Sequence, residues 1–230
     1  MSAHPRLPIV LEAASSLAAG LVNPTLLVTL HRDIDELEGL DGRRLGRSNK
    51  QYALRWAIFT MSYAALESFF NDILRDTASQ RTLPVNPDKL RSAGDKHGVK
   101  LFTSDWGLRT RVKGTSAGNR SRWVVYSGKQ ELVAYLADMK NLRDLLAHGS
   151  DPNKVSNASG ALWPLINGGN SMRLMGAEGF IQAAGDLAAQ TVLAFGGEAD
   201  DVPVWPEPAR SGLSAEPRPV LKLLEGRRAR

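Results

Sequence analysis

The stretch MKNLRDLLAHGS, residues 139–150, gathers an arginine, an aspartate and a histidine at the end of what reads as an amphipathic helix. A guanidinium is permanently charged and can grip a phosphate through two hydrogen bonds, while an imidazole exchanges a proton near neutral pH. Side by side, the two could bind and transform a phosphodiester. Spacing limits how. Arg143 and His148 are five residues apart, which at about 100° per residue turns them about 140° away from each other on one helix. Asp144 and His148 are four apart and share a face, so the carboxylate could accept a hydrogen bond from the imidazole and set its tautomer. His148 also stands in the last turn, where the helix dipole favours a cation. The plainer alternative is a helix that simply ends at His148 and Gly149, with Arg143 and Asp144 as ordinary surface.

Other chemistry finds little support. There is no cysteine, and none of the four histidines (His4, His31, His97, His148) has a second histidine or cysteine at metal-ligand spacing, so neither metal nor cofactor is expected. His31 and His97 read as surface residues on helices or helix ends, and the acids of DIDELE (33–38) as a solvated helix face. GTSAGNR (114–120) has glycines without the lysine or the strand–helix setting of a phosphate loop. No Gly-x-Ser-x-Gly elbow occurs.

The net charge of +5 permits an anionic partner such as RNA without requiring one. RTRVKGTSAGNRSR (109–122) concentrates Arg109, Arg111, Lys113, Arg120 and Arg122 with no acid between them, bracketed by Trp106, Trp123 and Tyr126. It reads as a basic loop that could guide RNA by charge and stacking, or equally as a solvated loop.

These residues need elements to hold them. A hydrophobic content of 43% is enough for a core, and its periodicity is mostly helical. A first helix is expected over 7–22. A second begins with Asn23 as cap and Pro24 in the first turn, and stops near 39–42. The longest, over 49–76, is apolar on so much of its circumference that it should lie centrally or at a subunit interface. Glu67 sits inside it, in line with Thr60 and Asn71. Asn86 should cap a short helix, TSDWGLRTRV (103–112) reads as another, and the basic run as a loop. A second long helix starts near Ser127 and ends at Gly149. NGGN (167–170) can turn a small hairpin within 161–175, and a last helix covers about 177–196. The fold class expected is therefore all-α, with two long central helices and room for that hairpin. A helical domain covers 1–198, with an N-terminal helical extension over 1–44. A Pro-rich, basic, flexible tail covers 199–230, within which VLKLLEGRR (220–228) could dock as a short helix. No signal peptide and no membrane-spanning run is read from the N-terminal apolar stretch, so a cytoplasmic location is expected.

RDLLAH (143–148) resembles the R-x4-6-H signature of the HEPN superfamily, in which a polar residue follows the arginine. Arg143, Asp144 and His148 match it. The long apolar helix containing YAALESFFNDIL precedes it by about 75 residues and an Ala-rich helix follows, most like the RiboL-PSP-type branch, over residues 45–197. The resemblance implies a HEPN-like helical bundle that forms a homodimer, bringing two such segments into one composite cleft. It implies a metal-independent endoribonuclease, of the kind found among toxins and anti-phage effectors and restrained by a neutralising, antitoxin-type protein. A 2′-hydroxyl would attack the neighbouring phosphate, leaving a 2′,3′-cyclic phosphate and a 5′-hydroxyl. His148 would transfer protons, Arg143 would stabilise the phosphorane charge, Asp144 would support them, and Glu67 would orient Arg143 or His148. The alternative is a HEPN-like module that binds RNA or protein without catalysis.

Overall fold

Apolar residues at helical spacing build most of the chain, of which the computed structural model describes residues 4–36, 50–77, 79–115, 121–166 and 168–208. Helix α1 (Leu7–Gly20) accommodates Pro8 in its first turn, where no N–H is required, and buries Val10, Ala13, Ala14 and Leu17. Helix α2 (Val22–Glu36) follows after the single residue Leu21. By length and composition the span Leu7–Arg32 could cross a membrane. Here it folds as two helices whose buried residues pack on α3 (Lys50–Leu74) and α6 (Leu174–Ala194).

Helix α3 has no Gly or Pro to interrupt it and buries Ile58, Phe59, Tyr63, Leu66, Phe70 and Ile73. Arg6 closes its end by donating to the Ile73 carbonyl. Helix α4 (Pro87–Lys96) starts at Asn86, whose side chain accepts from the Lys89 N–H, a cap that stabilises by about 1 kcal/mol. Helix α5 (Gly128–Ala147) directs Leu132, Leu136, Met139 and Leu142 inward. Helix α6 is buried on nearly every side, and therefore forms the centre against which α1, α3 and the hairpin below are laid.

One antiparallel ribbon overturns the all-α expectation, while a second falls within 161–175, where a small hairpin is expected. Strands β1 (Gly107–Lys113) and β2 (Ser121–Ser127) pair from Gly107 opposite Ser127 to Lys113 opposite Ser121. The sequence reading places a helix and a basic loop there. Period-two burial explains the difference: Leu108, Thr110 and Val112 are buried, while Arg109, Arg111 and Lys113 take the other face. A second, short ribbon joins β3 (Trp163–Pro164) to β4 (Asn170–Ser171).

The outer edge of β1 is closed by side chains from α6. Gln190 accepts from the Gly107 N–H (2.9 Å) and donates to the Gly107 carbonyl (2.6 Å), and Asp186 accepts from the Arg109 N–H (2.6 Å). Four residues of helix rise about 6 Å and two of strand about 6.6 Å, so the two periods match and one helix face can serve successive edge groups. Further along, Gly179 lets α6 touch the strand itself, since a Cβ there would overlap Thr110 Oγ1 and Arg111 N.

Two histidines read as surface residues are placed otherwise. His31 is buried and accepts from Arg55 Nε at 3.3 Å. His97 is half-buried, with Nε2 donating to the Leu74 carbonyl at 3.1 Å. After α6 the chain passes through a 3-10 turn (Ala199–Asp201) and lays Trp205, 7% exposed, over Gly185. The VLKLLEGRR segment and the side chains of DIDELE lie outside the described residues.

Candidate active site

Helix α5 ends in a Schellman turn. The Ser150 N–H donates to the Leu145 carbonyl (2.9 Å) and the Gly149 N–H to that of Leu146 (3.3 Å). Gly149 takes a φ of 64°, which costs glycine little and other residues about 1 kcal/mol or more. His148 is the residue just before this turn. An equivalent turn closes α4 around His97 and Gly98, and the two histidines share φ −95° and ψ 7°. Capping alone therefore accounts for the His-Gly pair. Surroundings separate them: His97 is hydrogen-bonded to α3, whereas the exposed His148 ring makes no hydrogen bond among the described residues.

Arg143 is held on three sides. One terminal nitrogen, Nη2, donates to Glu67 Oε1 of α3, and the other, Nη1, to Asp144 Oδ1 at 2.9 Å. The guanidinium carbon lies 5.1 Å from the centre of the Tyr63 ring, a cation–π contact. Tyr63 stands one turn before Glu67 on α3, is 1% exposed, and stacks on Phe180 with centroids 5.9 Å apart and planes at 10°. The platform beneath Arg143 is thus part of the core. Burial opposes the charge on Arg143, but the Glu67 and Asp144 carboxylates outweigh it and hold its pKa above the ordinary arginine value. Burial also pushes the Tyr63 phenol well up, so it stays neutral. About a quarter of the Arg143 and Glu67 side chains remains exposed, which leaves them open to a ligand.

The expected hydrogen bond from His148 to Asp144 is absent among the described residues. Asp144 is bound instead by Arg143 and by Lys140 Nζ. Lys140 and His148 lie one turn to either side of Asp144, and a permanent ammonium competes for that carboxylate better than an imidazole does. Asn71 stands apart, its side chain pinned to Leu83 N, Leu83 O and Glu67 O. Tyr63 and Lys140 are members of the cluster that the sequence reading did not select. Each is one helical turn from a residue that it did.

The basic residues of the hairpin form a separate group. Arg109, Arg111 and Lys113 share its outer face, exposed Arg122 lies at its rim, and Arg120 is outside the described residues. The hairpin leads into the start of α5, while Arg143 lies about 22 Å further along that helix. Two surface depressions, of about 350 Å³ beside Leu83, Asp88 and Lys96 and about 460 Å³ beside Asp151, Lys154 and Asn170, do not include Arg143 or His148. Among the described residues no group of three or more His, Asp and Glu could hold a metal ion. Comparison with protein-family models, curated proteins and solved structures finds no match.

Proposed function

We propose that the chain is a HEPN-type, metal-independent endoribonuclease whose site is completed by a second copy of itself. The observation that carries this reading is the pairing of Arg143 with Glu67 across α3 and α5, over a buried tyrosine, on a helix that ends in an exposed histidine whose ring makes no hydrogen bond among the described residues. A guanidinium fixed in place yet partly open to solvent suits a phosphate whose charge grows in the transition state. A solvent-facing imidazole suits proton transfer.

Within one helix the two groups diverge, so His148 of the partner subunit would face Arg143 across a twofold axis. The exposed face of α3 favours such an approach. Ala53, Ala57, Thr60 and Ala64 recur at alternating spacings of four and three and lead up to Glu67, and small side chains allow two helices to pack closely. In the reaction, the imidazole removes the 2′-hydroxyl proton and the oxygen bonds to phosphorus. The bond from phosphorus to the 5′-oxygen breaks, and that oxygen leaves with the electron pair and takes a proton from water. Arg143 binds the non-bridging oxygens throughout.

Purified protein incubated with mixed RNA and EDTA tests this, beside His148→Ala and Arg143→Ala. Cleavage that survives the chelator, leaves cyclic-phosphate ends and falls at least about 100-fold in both variants supports the reading. A folded dimer that leaves RNA intact, or variants that cut as well as the parent, would move the assignment to a binding module.

A further inference from the structure

We infer that the outer face of the β1–β2 hairpin is a stacking platform for unpaired bases of RNA, with Trp123 as its centre. The inference takes only the ligand, RNA, from the proposed function and is independent of the cleavage step.

The register sorts the hairpin cleanly. Leu108, Thr110 and Val112 face the core at 0–5% exposure, and the opposite face presents Arg109, Arg111 and Lys113 with Trp123 and Val125 across from them. Trp123 is 41% exposed, although an indole is among the side chains that gain most from burial. Two guanidiniums hold it: the Arg109 carbon lies 4.9 Å and the Arg111 carbon 5.3 Å from the ring centre. Arg111 is itself anchored. It donates to Glu178 Oε2 at 2.7 Å and to Ser121 Oγ at 2.6 Å, and Glu178 also receives Arg32 at 2.8 Å. The indole is therefore tied through Arg111 to Glu178 of α6, on its own face of the ribbon, while much of it stays open.

The two strands, GLRTRVK and SRWVVYS, contain no acid. A planar aromatic backed by guanidiniums offers a π-face to a base; Arg111 is already paired with Glu178, so the charge for the phosphates comes chiefly from the exposed Lys113. Bases in a duplex are already stacked on both sides, so only an unpaired base can use such a platform. Lys113, exposed at the far end of β1, extends the positive track along the backbone of the strand.

The test uses the full chain carrying His148→Ala, so that RNA is held and not cut, with fluorescein-labelled oligouridylate and a duplex RNA of equal length as probes. Trp123→Ala should weaken binding of the single strand about tenfold, and Trp123→Phe should restore most of it, because a flat ring is what the base requires. The duplex should respond to neither change. Lys113→Gln should lower the slope of log affinity against log salt by about one. Unchanged single-strand binding in Trp123→Ala overturns the inference. So does an equal loss for single strand and duplex, or displacement of the RNA by polyglutamate as readily as by unlabelled oligouridylate, which would mark an acidic protein as the occupant. Binding that behaves as expected, together with an unsubstituted parent chain that leaves RNA intact, would sink the nuclease reading and leave the platform standing.

Discussion

At the scale of single residues, Arg143 is positioned chiefly by what it touches. The Glu67 carboxylate fixes one terminal nitrogen and Tyr63 supports the plane from below. If this tether aims the guanidinium at a phosphate, removing its charge without its shape should slow chemistry more than binding. Glu67→Gln keeps an amide oxygen for Arg143 and loses the ionic part of the pair. The expected result is a fall in kcat of about tenfold or more with KM little altered. The thermal midpoint should scarcely move, since a partly exposed ion pair contributes about 1 kcal/mol or less. Steady-state cleavage of a defined oligonucleotide, with thermal unfolding alongside, reads both. A variant as active as its parent would reduce Glu67 to an ordinary ion-pair partner. Helical spacing alone could place Glu67 on a face of α3, but the contact joins residues 76 apart. Nothing local to RDLLAH indicates which carboxylate the arginine will find.

Between elements, the seam joining α6 to β1 is the main departure from what the residues suggest one at a time. Asp186 is buried there with its oxygens on the Arg109 N–H and the Gln182 side chain. Burial raises its pKa to about 7 from an ordinary 3.8, against the lowering effect of those two hydrogen bonds. Between these values the folded chain binds more protons than the unfolded one, so stability falls as pH rises through the window and levels off above it. The slope is at most about 1.4 kcal/mol per pH unit. Asp186→Asn, neutral at every pH and able to accept from the same N–H, should abolish that decline. Urea unfolding at about pH 5 and about pH 8 would show the parent losing stability that the variant keeps; parallel profiles would mean that Asp186 is charged throughout. The helices were legible because apolar stripes, Asn86 and Gly149 act locally. The hairpin was not. Its alternation, Leu108-Arg109-Thr110-Arg111-Val112-Lys113, was present, but the concentrated charge and the glycines beside it suggested a solvated loop. Asp186 and Gln190 were the missed signal, two polar residues one turn apart in an Ala-rich buried helix, which must be answered by polar groups elsewhere.

For the whole molecule, what matters is whether one chain is enough. Arg143 is turned toward α3, His148 points to solvent at the end of α5, and no described hydrogen bond joins them. If catalysis draws the arginine from one copy and the histidine from the other, two inactive variants should repair each other. A heterodimer of Arg143→Ala and His148→Ala chains, co-expressed with different tags and purified through both, keeps one intact Arg143–His148 pair of the two that a wild-type dimer holds. It should cleave RNA at about half the parental rate, while each variant homodimer stays inert. Ala64→Arg is the complementary change. It puts a long charged side chain on the exposed, small-residue face of α3, where folding tolerates it and close helix contact does not. Light scattering should then report a monomer, and cleavage should disappear with the dimer. A monomeric Ala64→Arg chain that cuts RNA at the parental rate would show that the site is complete in one copy. An inert heterodimer would show that Arg143 and His148 must come from the same chain, or that both histidines act in each turnover. Either outcome rejects the cross-subunit pairing and directs attention back to how one α5 could bring two diverging side chains onto a single phosphate.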